Sequence, residues 1–64
     1  MRHTELRARL EAALGTGYYQ VWADTFVMSD LGGRTVTEAL DAGVEPKQVW
    51  AVVWRVLELP DRER

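Results

Sequence analysis

The residue types that most often carry catalysis are scarce in this chain. There is one His, His3, one Ser, Ser29, and no Cys. A hydrolase triad needs a nucleophile, a base and an orienting acid held together, and a zinc site needs several N or S ligands. Neither set is present. Two acidic pairs have usable spacing, Glu38 with Asp41 and Asp41 with Glu45. Carboxylate pairs work as acid and base only where a pocket separates their proton affinities. On short helices such pairs read as a solvated acidic face. The adjacent Gly32 and Gly33 suggest a phosphate loop, but the required Lys, Ser/Thr and preceding strand are missing. The sequence therefore points away from an enzyme and implies no metal and no cofactor.

What remains are residues suited to recognition. Trp50 and Trp54 stand one helical turn apart, and exposed Trp is a typical interface anchor. They are the candidate partner-binding residues. Arg34, Lys47, Gln48 and Arg55 are the candidate DNA-binding residues, since bases neutralise phosphates and Gln can read adenine. Arg2, Arg7 and Arg9 add charge near the start. The middle is acidic, however, with Asp24, Asp30, Glu38, Asp41 and Glu45, and the formal net charge is −2. A duplex-binding domain normally shows a basic face.

Four helices must position these residues. The first is expected from about Thr4, with Thr4 as its cap, to Leu14, with Leu6, Leu10, Ala13 and Leu14 on one stripe and Gly15 as the stop. The second is expected from about Tyr18 to Ser29, burying Tyr18, Val21, Trp22, Thr25 and Phe26. Asp30-Leu31-Gly32-Gly33-Arg34 reads as a tight turn with Leu31 tucked inward. The third helix opens on the capping box Thr35-x-x-Glu38 and stops after Ala42, where Gly43 and Val44 complete the end. The fourth begins at Pro46, runs to about Glu58 and stops before Pro60.

The fourth helix is apolar over more than half its circumference, through Val49, Trp50, Val52, Val53, Trp54, Val56 and Leu57. Two readings compete. Either the helix is central and covered on two sides, or its Trp50–Trp54 edge is exposed and binds a partner or a second copy. The second reading expects Trp50→Ala and Trp54→Ala to spare folding.

The last two helices resemble a DNA-binding helix-turn-helix in spacing. Ala39, Gly43 and Val49 occupy the small, turn and apolar positions, and Ala42, Val44 and Val52 also fit, because small residues let two helices cross closely. Leu40 departs from the pattern, and only Lys47 is basic at the outward start of the fourth helix.

The run Leu31-Gly32-Gly33-Arg34-Thr35-Val36, then Glu38-Ala39-Leu40, Gly43, Pro46 and Val49-Trp50, resembles a family of short actinobacterial proteins of unknown function. Met1-Arg2, Thr4-Glu5, Trp22 and Asp24 fit as well. That resemblance implies genes near those of the recombinase that pairs DNA strands and of its regulator. It implies no activity and no functional residues.

Sixty-four residues make one domain. A chain so short buries only about 60% of its unfolded surface. The expectation is an all-α bundle of four short helices over residues 1–60, the last two helix-turn-helix-like, with a charged, frayed tail at 61–64. The longest apolar run, Val49–Trp54, is too short to span a bilayer, and the N-terminus has no apolar signal region. The chain reads as a soluble cytoplasmic protein. Its leading function is a protein-interaction module using the fourth helix or the acidic middle. An accessory DNA-binding protein and a homodimeric structural protein are the alternatives.

Overall fold

The clearest local signal forms as the sequence dictates. In the computed structural model, which describes Met1–Arg64, the Thr35 hydroxyl accepts a bond from the Glu38 N–H at 3.1 Å. The Glu38 carboxylate accepts one from the Thr35 N–H at 2.9 Å. This reciprocal cap starts α3 (Val36–Asp41). The helix ends on Gly43 at φ +93°, where glycine avoids the Cβ clash of positive φ. The Val44 N–H reaches back to the Ala39 carbonyl and the Gly43 N–H to that of Leu40. Both orphan carbonyls are thereby satisfied. Glu45 and Pro46 then open α4 (Pro46–Val56).

The other helices depart from the sequence reading in informative ways. α1 (His3–Leu14) starts one residue early, from Arg2, with no side-chain cap. Thr4 is inside the helix, not its cap. Leu6 and Leu10 are buried, and Gly15 ends the helix at φ +93°. α2 (Tyr19–Thr25) stops well before Ser29. The Thr25 hydroxyl donates to the Val21 carbonyl at 2.7 Å. Phe26 then turns extended, so that the Met28 N–H can donate to the Arg34 carbonyl at 3.0 Å. That bridge closes the Ser29–Gly33 turn, in which Gly32 and Gly33 both have positive φ and Leu31 is buried.

The buried face of α2 is also rotated from the expected one. Trp22 and Ala23 are buried and Tyr19 is half-buried, whereas Tyr18, Val21 and Phe26 are exposed. Phe26 stacks on Trp22 with centroids 5.0 Å apart. Early termination redirects the chain, so the stripe chosen by periodicity is not the one the other helices cover.

α4 is the central element. It packs on α1, on α3 and on the Ser29–Leu31 turn. Val49, Trp50, Val52 and Val53 are all buried. The helix stops at Val56 rather than Glu58. Glu58 takes a left-handed conformation, φ +54°, in the position usually held by glycine, and the Leu59 N–H bonds the Trp54 carbonyl. No helix is long and apolar enough to cross a membrane. The Cα radius of gyration is 10.5 Å. A compact chain of this length has about 10.7 Å.

These two helix ends can be tested in opposite directions. Thr35→Ala removes half of the reciprocal cap and is expected to cost about 1 kcal/mol. Glu58→Gly relieves a left-handed side chain and is expected to gain about 1 kcal/mol, or roughly 4–8 °C in Tm. Thermal denaturation followed by circular dichroism measures both. An unchanged Tm in Glu58→Gly would show that the αL position carries no strain.

Candidate functional site

α4 places Lys47, Ala51, Trp54 and Arg55 along one side, at successive turns of a 3.6-residue helix. α1 faces it with Glu5 and Arg9, also one turn apart. Between them lies an open groove of about 540 Å³, lined by Met1, Glu5, Arg9, Lys47, Trp50, Ala51, Trp54, Arg55 and Arg64. Four of these residues are basic and one is acidic. The floor is indole and methyl.

The charges are partly compensated. Arg9 contacts Glu5 at 3.4 Å and Arg55 contacts Asp30 at 3.2 Å. Both pairs are largely solvated, so each contributes well under about 1 kcal/mol and is readily exchanged. The Arg9 guanidinium lies 5.5 Å from the Trp50 ring centroid, and that of Arg64 lies 4.9 Å from that of Trp54. These distances suit cation–π attraction. Lys47 makes no ion pair.

Residues 61–64 return to the body of the fold. Asp61–Glu63 forms a single 3-10 turn against α4. The Trp50 indole N–H donates to the main-chain oxygens of Glu63, at 3.0 Å, and Arg64, at 3.2 Å. The Trp54 indole N–H donates to Pro60 at 2.9 Å. Arg9 donates to the Arg64 main-chain oxygen at 3.0 Å. An apolar helix edge with two indole N–H groups needs acceptors, and residues 60–64 supply them.

The residues singled out in the sequence are therefore divided. Trp50 is only 3% exposed, which corrects the reading of it as an open anchor. Trp54 is half-buried. Lys47 and Arg55 line the same groove as the two tryptophans, so half of the DNA-binding set joins the partner-binding pair. Arg34 and Gln48 are exposed elsewhere, Arg34 donating weakly to the Leu31 carbonyl at 3.4 Å. Arg9 and Arg64 were not singled out as site residues. Nothing local in the sequence says that α1 faces α4 or that the tail returns.

A second cleft, of about 310 Å³, lies between α1, α2 and α3. His3, Arg7, Gln20 and Asp41 rim it above Leu6, Leu10 and Val36. Arg7 and Arg9 thus serve different faces. Glu38 is committed to the α3 cap, and Asp24 accepts a bond from the Thr37 hydroxyl at 2.5 Å. No group of three or more His, Cys, Asp or Glu side chains comes together as a metal site.

Fold and groove define a small all-helical domain with a basic, indole-floored face. The family model described as a protein of unknown function, DUF3046, matches residues 1–62, and the chain belongs to that family. No curated protein and no solved structure matches it.

Burial decides how the tryptophans respond to substitution. Trp50→Ala is expected to cost about 3–5 kcal/mol. A domain of this size has a total stability of only about 3–10 kcal/mol. Trp54→Ala, at a half-buried site, should cost markedly less. Urea titration of both variants measures the difference. Equal midpoints would show that Trp50 is no more a core residue than Trp54.

Proposed function

We propose that this protein is a non-enzymatic interaction module that docks an acidic segment of a protein partner in the groove between α1 and α4. The observation that carries this reading is the gathering of Arg9, Lys47, Arg55 and Arg64 around an indole floor, on a chain whose net charge is −2. Clustered bases recognise acidic motifs by charge-assisted hydrogen bonds. Steering by such a local field operates even when the global charge has the opposite sign. Trp50 is buried and Trp54 half-buried beneath these bases.

A short acidic segment suits this groove better than a duplex does. Duplex affinity grows with the number of phosphates neutralised. Two of the four bases already hold carboxylates, Glu5 and Asp30, and Glu45, Glu58 and Asp61 are exposed on the same or adjoining segments. A long regular array of phosphates meets these acids, whereas a few carboxylates fit between them.

A second reading retains DNA. Lys47 and Arg55, both expected as duplex contacts, do share one surface, and α3 and α4 taken as a helix-turn-helix-like pair would present it. The neighbourhood implied by the family resemblance, beside a strand-pairing recombinase and its regulator, is compatible with either reading. It makes acidic segments of DNA-handling proteins the first partners to try.

Titrating isotope-labelled protein with a deca-glutamate peptide, and separately with mixed-sequence duplex DNA at low salt, separates the two. The expected result is saturable peptide-induced shifts at Lys47, Arg55 and the Trp54 indole. A Lys47→Glu, Arg55→Glu double variant should bind the peptide about tenfold more weakly. Shifts with duplex and none with peptide would replace the first reading by the second.

A further inference from the structure

Residues 60–64 are fixed to α4 and α1 almost entirely through their main-chain oxygens. Pro60, Glu63 and Arg64 accept the two indole N–H groups and the Arg9 guanidinium, and the Arg64 side chain covers Trp54. None of these five residues is buried. Asp61 and Glu63 make no ion pair, since the two pairs in the chain are Arg9–Glu5 and Arg55–Asp30. The segment is therefore held by a few polar contacts, part-buried at Trp50 and exposed at Trp54 and Arg9, with no buried residue of its own.

It also divides a larger surface. A hollow of about 190 Å³ on its other side is lined by Ala12, Ala13, Arg62 and Glu63. Arg9, Trp50 and Arg64 line this hollow and the basic groove alike. With residues 60–64 lifted, the two become one channel over Trp50, and every donor the segment used faces into it.

We propose that residues Pro60–Arg64 are an intramolecular strap, which an acidic segment displaces when it binds. The inference rests on the groove reading given above. The incoming carboxylates take the bonds that the strap's main-chain oxygens held, from the indole N–H groups of Trp50 and Trp54 and from Arg9. Ionised oxygens are stronger acceptors than the neutral carbonyls of Glu63 and Pro60, which hold the Trp50 and Trp54 indole N–H groups. The strap also keeps the Trp50 edge covered when no partner is present, which limits self-association through an exposed indole. Because only the open form binds fully, apparent affinity is reduced by the fraction of molecules that are open.

Pro60→Gly tests this without touching a groove-lining side chain. Glycine frees φ in the released strap and favours release by backbone entropy. The deca-glutamate peptide is expected to bind Pro60→Gly about twofold to fivefold more tightly than the unaltered protein. In both proteins, peptide should shift the Trp50 and Trp54 indole N–H resonances and lower the heteronuclear NOE of residues 61–64. Shifts at Lys47 and Arg55 with an unchanged NOE at 61–64 and equal affinities would overturn the strap and leave the groove reading standing. No shifts with either protein would overturn both.

Discussion

Covering α4 is the constraint on which the rest of this structure depends. The chain has no disulfide, so a single apolar helix supplies much of the core. Its apolar positions extend over more than half a turn, and no one neighbour can cover that arc. α3, α1 and the Ser29–Leu31 turn each pack on part of it, and Val49, Val53, Ala39, Leu6 and Leu10 are buried in the core they share. What is left is the indole edge of Trp50 and Trp54. Each indole carries a donor that must be satisfied if it leaves water. The returning tail does this with main-chain oxygens, so the placement of residues 60–64 follows from the composition of α4.

How much of this was legible depends on the range over which each interaction acts. The α3 cap, the Gly43 stop and the Pro46 start are complete within four or five residues, and each forms where the sequence placed it. The centrality of α4 was legible as one of two readings, because burying so many apolar residues leaves few alternatives. The end of α2 was not. Periodicity favoured a helix to about Ser29, but the Met28–Arg34 bridge outweighed it, and that bridge depends on a turn formed later in the chain. Glu58 in a left-handed conformation was similarly hidden, since residue type marks such a position only when it is Gly or Asn.

The candidate site was half legible for a related reason. Lys47, Trp54 and Arg55 share a face because helical spacing puts them there, and spacing is visible in sequence. Arg9 and Arg64 join them by packing alone. Arg7, two residues from Arg9, faces the other cleft with His3 and Asp41. Counting basic residues in the N-terminal segment could not divide them. Only the direction in which α1 crosses α4 assigns one arginine to each face.

This division also bears on what kind of ligand such a basic face would suit. A net charge of −2 argues against a polyanion spread over the whole surface. It does not argue against a short anionic segment, which senses only the nearest charges. At physiological salt the Debye length is about 8 Å, shorter than the protein's smallest extent of 21 Å. Charges more than a Debye length from the groove are screened from an occupant, while Arg9, Lys47, Arg55 and Arg64, which line it, are not. The sign of the whole chain and the sign of one face are separate quantities, and a ligand placed on that face would sense the second.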